Sequence, residues 1–187
     1  MESNKLEKIV IIDFGSQFTQ LVARKIRELG AYSEIINPKN IKKIQKDNSI
    51  KGIILSGGPL SIVNKKSLKL DNSLINFRIP ILGICYGHQI LAKKFGGRIK
   101  VSKNREFGKA VVKSKSKCSI TKNFFNKKKS VVWMSHQDIV QRLPSGFKSV
   151  ASSSNSKFAI MANEKLKYYG VQFHPEVSHT KNGKILI

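Results

Sequence analysis

The sequence predicts an α/β domain built on a mostly parallel sheet with helices on both faces. Three observations carry this. Short runs such as IVII at 9–12 and GIILS at 52–56 are apolar throughout, as befits strands covered on both sides. Segments with apolar residues at helical spacing alternate with these runs. The connections are short and marked by Gly and Pro.

Residues 8–13, KIVIID, form the first strand, and Phe14-Gly15 makes the turn after it. Ser16 is placed to cap the following helix, SQFTQLVARKIRELG, whose Phe18, Leu21, Val22, Ile26 and Leu29 keep helical spacing. Gly30 ends that helix as a C′ glycine. YSEII at 32–36 is the second strand, and 40–49 form a short polar helix carrying Ile41 and Ile44. The third strand, 52–56, runs into Gly57-Gly58-Pro59, and 66–77 are expected to be helical. Pro80 opens the strand ILGI, which runs into Cys85, and 86–95 form a helix closed by Gly96-Gly97. The second half is less regular. Strands are expected at 98–102, 107–113 and 130–134, with a polar, lysine-rich connector at 114–130. A hairpin pairs 148–152 with 157–162, and YYGVQF at 168–173 runs into His174-Pro175-Glu176. Ligands of such sheets bind beyond the carboxyl ends of the strands, the edge that collects Asp13, Gly57-Gly58 and Cys85.

With 187 residues, 40% of them hydrophobic, the chain suits one domain with a sizeable core, which argues against wholesale disorder and against two full catalytic domains. Two cysteines cannot make a disulfide framework and suggest a reducing setting. No apolar stretch approaches the ~18 residues of a membrane span, and the N-terminus lacks the pattern of a signal peptide. A soluble cytoplasmic domain without membrane contact is the expectation. The formal charge of +24 invites a nucleic-acid partner. Yet 29 of the 35 basic residues are Lys and six are Arg, whereas bidentate readout of bases and phosphates favours Arg. Joint enrichment in Ile and Asn has the look of a proteome-wide bias, and local basic runs occur only at 113–117 and 127–129. A solvated lysine surface is therefore preferred over a nucleic-acid site.

Gly83-Ile84-Cys85-Tyr86-Gly87 has the shape of a nucleophile elbow, a sharp strand-to-helix turn flanked by glycines. Cys85 then stands at a helix N-terminus, where the dipole favours a thiolate. Cys118 lies in a polar stretch without such context and is taken as incidental. A cysteine nucleophile needs a base, and the base an orienting group. His174 and Glu176 supply both, because residues two apart in an extended segment point the same way, ~6.5 Å apart at the backbone. His88, three positions after Cys85, is the nearest rival base, and His136 and His179 are further candidates. No His, Cys and carboxylate spacing suits zinc, so no metal site is expected. The Gly58 and Tyr86 N–H groups are candidates for an oxyanion hole. Neither a P-loop nor a G-x-G-x-x-G fingerprint is present, so no means of binding ATP or NAD is visible.

GIILSGGP (52–59), GICYGHQ (83–89) and GVQFHPE (170–176), in that order and spacing, resemble the class I glutamine amidotransferases. DFGSQFTQL (13–21), REFG (105–108), VWMSHQD (132–138) and YYGVQFHPEVSHT (168–180) are most similar to the amidotransferase domains of glutamine-hydrolysing GMP synthases. The resemblance implies a flavodoxin-like fold and a Cys85, His174 and Glu176 triad that hydrolyses glutamine, with the oxyanion held by Gly58 and Tyr86. It further implies glutamine contacts from Gln89, Ser135, Gln137 and Asp138. Ammonia would pass to a synthetase domain or subunit that adenylates xanthosine 5′-monophosphate and aminates it to GMP. ATP and Mg2+ belong to that synthetase, and no cofactor is implied here. REFG and the 114–130 connector are the surfaces suggested to meet it, and a homodimer of the full enzyme is allowed. On this reading 1–187 is one amidotransferase domain, without the synthetase and with its last helix cut short at GKILI. The alternatives are a class I amidotransferase serving another acceptor and, less favoured, a basic nucleic-acid-binding domain.

Overall fold

The apolar run at 9–12 becomes strand β1 (Lys8–Ile12), in which Val10, Ile11 and Ile12 are wholly buried. The computed structural model describes residues 6–63 and 70–187. The other strands are β2 (Tyr32–Ile36), β3 (Ile50–Leu55), β4 (Ile81–Ile84), β5 (Arg98–Ser114), β6 (Lys129–Arg142), β7 (Lys148–Ser152), β8 (Ile160–Asn163) and β9 (Tyr168–Val171). They form one sheet in the order β2-β1-β3-β4-β9-β8-β7-β5-β6. The strands from β2 to β9 in that order are parallel, and those from β9 to β6 are antiparallel, so the sheet is mixed.

Alternate residues of the parallel strands feed two cores. Ile11, Ile54 and Ile84 pack with Val22, Ala23 and Ile26 of helix α1 (Thr19–Glu28). Val10, Ile12, Ile53 and Ile81 pack with Ile90, Leu91 and Ala92 of helix α2 (Tyr86–Lys94). The two helices therefore cover opposite faces, as the sequence predicts. Gly30 follows α1 at φ +88° and donates to the Arg27 carbonyl, consistent with its role as a stop.

Some elements differ from expectation. Ser16 does not cap α1: the helix begins at Thr19, and the Ser16 hydroxyl accepts from the Phe18 N–H in a turn before it. The segments after β2 and before β4 are 3-10 helices, Pro38–Ile44 and Asn72–Phe77, opened by Asn37 and Asp71 side chains that accept from Lys39 and Ser73 N–H groups. Of the helix expected at 66–77, residues 66–69 lie outside the described residues. The separate strands expected at 98–102 and 107–113 are one strand, β5, with a register irregularity between Val101 and Glu106. The strand expected to stop before Ser135 continues as β6 to Arg142, because β5 pairs with it along that length.

The β4 to α2 turn is closely packed. A Cβ on Gly83 would lie 2.4 Å from the Gly87 carbonyl oxygen, and one on Gly87 would lie 2.1 Å from the Leu55 carbonyl oxygen. Both are far inside van der Waals contact with backbone that cannot step aside. Between them Cys85 takes φ +51° and ψ −101°, a region that side-chain-bearing residues enter only when their surroundings hold them there. Gly87→Ala is therefore expected to lower stability by about 2 kcal/mol or more, read as a fall in the midpoint of thermal or urea unfolding.

Candidate active site

Cys85 ends β4 and caps α2, with 6% of its surface exposed. Its Sγ lies 3.5 Å from the Ser135 carbonyl oxygen, to which a thiol donates, and 3.9 Å from Gln172 Nε2, which donates to it. β9 lies beside β4 with Val171 opposite Ile84. The chain leaving β9 thus delivers Gln172 and His174 to the side of Cys85.

His174 is held from several directions. Its N–H donates to the Trp133 carbonyl at 3.0 Å, and its carbonyl accepts from Thr180 Oγ1 at 2.6 Å. The same Thr180 oxygen accepts from the Trp133 N–H. This ties the loop after β9 to β6. Phe18 sets its ring edge-on to the imidazole at 5.1 Å between centroids. His174 Nδ1 meets Glu176 Oε1 at 2.7 Å, with side-chain exposures of 5% and 1%. Burial alone lowers an imidazole pKa, but the Cys85 sulfur and the Glu176 carboxylate outweigh it and push that of His174 up to about 10. The two-residue spacing read from the sequence is realised.

The sequence's other candidates separate clearly. His88 is completely buried, its Nδ1 packed where a Cβ on Gly170 would stand, and burial pushes its pKa down to about 3. It is a neutral core group. His179 is exposed and packs on Trp133 at 4.5 Å between centroids. His136 pairs with Glu106. Burial pushes the Cys118 thiol up to about 11, which leaves it a poor nucleophile. Among the described residues no group of three or more His, Cys, Asp or Glu side chains is arranged to hold a metal ion.

A cavity of about 370 Å³ opens beside Cys85. Gly58, Tyr86, Gln89, Ser135, Gln137 and Asp138 all line it, together with Ser61, Phe107 and His136. A Cβ on Gly58 would stand 2.9 Å from the Phe14 carbonyl oxygen and 3.3 Å from Tyr86 Cγ, so only glycine lets this turn approach Tyr86. Asp138 Oδ2 accepts from Ser61 Oγ at 2.6 Å and the Ile62 N–H at 2.9 Å. Its Oδ1 is buried without a hydrogen-bond partner among the described residues. Gln89 is less available than its position suggests, because its Nε2 donates to the Asp138 carbonyl at 2.7 Å and to Gln172 Oε1 at 3.3 Å. A larger groove, about 850 Å³, runs along β5 and holds neither Cys85 nor His174. The smaller cavity is the one that reaches Cys85.

Sequence reasoning missed Gln172 and Thr180. Gln172 had a signal: a polar residue in an apolar run, two positions before the base and so on its side of an extended segment. Thr180 had none, since its contacts join segments remote in the chain.

Residues 10–187 match the family described as glutamine amidotransferase class-I. The chain belongs to the class I glutamine amidotransferases. It is 49% identical over 184 residues to a glutamine-hydrolysing GMP synthase of Maridesulfovibrio salexigens, covering 96% of this chain and 35% of that protein. With the same enzyme of Treponema denticola it shares 46% over 181 residues, covering 97% and 34%. The chain thus spans about a third of the length of these relatives. Among solved structures, a Thermoplasma acidophilum protein provisionally named as one subunit of a GMP synthase superposes with a TM-score of 0.83 at 31% identity, covering 98% of this chain and 92% of that one. A Thermotoga maritima glutamine amidotransferase does so at 0.75 and 22% identity, covering 93% and 78%, a likeness of fold.

The raised pKa of His174 has a consequence for this amidotransferase. A group whose folded value exceeds its ordinary 6.5 contributes stability fully below that value, and the contribution is lost as pH rises through about 10. Glu176→Gln removes part of the cause. Its thermal destabilisation should be largest near pH 6 and shrink toward pH 10, as scanning calorimetry at both ends would read.

Proposed function

We propose that Cys85, His174 and Glu176 form a glutaminase triad, and that the cavity beside Cys85 receives glutamine. The observation that carries this is the buried His174 and Glu176 pair beside a cysteine on a strained elbow. Glu176 accepts a hydrogen bond from the Nδ1–H of His174 and leaves Nε2 for chemistry. The Cys85 sulfur and the Glu176 carboxylate both favour the charged imidazole, so His174 takes the Cys85 proton as the reactive thiolate forms. The thiolate attacks the carboxamide carbon of glutamine, and the oxyanion takes hydrogen bonds from the Gly58 and Tyr86 N–H groups. His174 gives its Nε2 proton to the leaving nitrogen, the carbon–nitrogen bond breaks, and ammonia departs from a thioester. His174, now neutral, removes a proton from water, whose oxygen displaces the sulfur as glutamate.

The α-ammonium of glutamine is assigned to the unpartnered Oδ1 of Asp138, because a buried carboxylate oxygen lacking a donor is matched best by a cation. Gln89 acts by holding the Asp138 backbone, and Ser135 and Gln137 complete the wall. The ammonia serves a synthetase, as a separate domain or polypeptide, that uses ATP and Mg2+ to convert xanthosine 5′-monophosphate to GMP. The support is identity of 45–49% to GMP synthases along nearly all of this chain, which covers 35% or less of each. Residues 1–187 are on this reading the glutamine-hydrolysing unit of such an enzyme.

Incubation with a glutamine-like diazoketone, followed by mass spectrometric mapping, should place the adduct on Cys85 and show protection by glutamine. Cys85→Ala should fold and remain unlabelled. Adducts at Cys118, or labelling that glutamine does not suppress, contradict the assignment. Asp138→Asn should raise the glutamine concentration giving half-protection by roughly tenfold or more, the range for losing a charged hydrogen bond.

A further inference from the structure

Glu106 and His136 form a second buried carboxylate–imidazole pair, which the triad does not use. Glu106 Oε2 and His136 Nε2 lie 3.1 Å apart, with side-chain exposures of 6% and 1%. The same carboxylate oxygen accepts from Ser153 Oγ at 2.8 Å, and Ser153 is in turn fixed by the Ser156 N–H, which donates to its hydroxyl at 2.9 Å. Burial would raise the Glu106 pKa, but the bonds from His136 and Ser153 prevail and lower it. Glu106 is therefore a carboxylate that can only accept, and it places the His136 proton on Nε2.

The position of this pair in the sheet gives it a purpose. Val101 stands opposite Asp138 and Glu106 opposite His136, so five steps along β5 are matched by two along β6. The backbone ladder lapses across this stretch, and Gln137 has no cross-strand partner in the register. Yet residues 135–138 supply the Ser135 carbonyl to Cys85, the Asp138 carbonyl to Gln89, and the Asp138 carboxylate to Ser61 and Ile62. Within the part of β6 that must hold still, Gln137 falls in the gap of the ladder, between the paired His136 and Asp138.

We infer that Glu106 is a positioning residue: through His136 it replaces the missing ladder bonds and fixes residues 135–138 as the glutamine-binding wall. The inference rests on the amidotransferase reading of the cavity. Removing the carboxylate leaves His136 buried without its acceptor and frees the wall to shift. A displacement of that kind weakens recognition of a substrate that spans the wall. The reactivity of the sulfur toward a small probe changes little, because the elbow that strains Cys85 belongs to β4 and α2 and His174 follows β9, so the wall touches the sulfur only through the Ser135 carbonyl.

Two probes separate these effects on the chain as it stands: saturable inactivation by the glutamine-like diazoketone, and alkylation of Cys85 by iodoacetamide. Glu106→Ala should raise the diazoketone concentration for half-maximal inactivation by roughly tenfold or more, while the iodoacetamide rate stays within about twofold. Glu106→Gln keeps an oxygen that accepts from both His136 and Ser153, and should recover most of the loss. An unchanged half-maximal concentration in folded Glu106→Ala overturns the inference. So does an equal loss of iodoacetamide reactivity, or a Glu106→Gln variant as weak as the alanine one. Should Glu106→Ala not fold, Ser153→Ala, which deletes a single bond to Glu106, must raise the half-maximal concentration severalfold, and no change there overturns it. If the unaltered chain reacts with iodoacetamide and not with the diazoketone, the amidotransferase reading falls and the inference with it.

Discussion

Helix α2 can begin where it does only because Gly87 has no side chain, which lets it press against the Leu55 carbonyl at the end of the neighbouring strand. That single approach sets the angle between β4 and α2, and the angle forces Cys85 to φ +51°. The sulfur is thereby turned toward the loop after β9. Gly83 meets the same turn from the other side, so the constraint is backbone against backbone and no rotamer change can relax it. The cavity wall, the imidazole and its carboxylate are arranged around a sulfur whose place is decided by these contacts.

Charge is distributed in a way that the +24 total conceals. The chain has 11 acidic residues. Among the described residues, those classed as buried are Glu106, Asp138 and Glu176. Glu176 meets His174, Asp138 lines the cavity with an oxygen that has no partner among the described residues, and Glu106 meets His136. Among the described residues no Lys or Arg lines the cavity beside Cys85. Buried carboxylates are expensive unless partnered, and an acid-poor chain concentrates them at the one place where an anion has a task. The lysines are spread along the chain; the nine on β5 and the connector after it are all exposed, where a formal charge carries little information about chemistry.

The parallel half of the fold was legible because its signals are local. Unbroken apolar runs, Gly-Pro punctuation and the G-I-C-Y-G elbow each occupy a few consecutive residues, and the contact of His174 with Glu176 follows from a two-residue spacing. The antiparallel half was less so. β5 contains Ser102, Lys103, Asn104 and Arg105 across its irregularity, and nothing in that polar stretch says that β6 will keep the chain extended. Ser16 has the chemistry of a cap and sits where a cap belongs, but the turn from β1 uses it earlier. The roles of Gln172, Thr180 and Glu106 depend on contacts between segments far apart in the chain: 30 residues for Glu106 and His136, 47 for Trp133 and Thr180, and 87 for Cys85 and Gln172. Composition and periodicity do not reach such distances.

The strand order has a consequence for how the molecule comes into being. β9 is the last strand in the chain, yet it lies in the interior of the sheet, between β4 and β8. β4 and its elbow are synthesised first, and the gap beside them is filled only after the antiparallel excursion through β5 to β8 has returned. Until then Cys85 has neither imidazole nor Gln172 beside it. Closure of a contact so distant in sequence is a late and slow event in folding. The Cys85 sulfur can meet His174 and Gln172 only once the chain leaving β9 has taken its place beside β4.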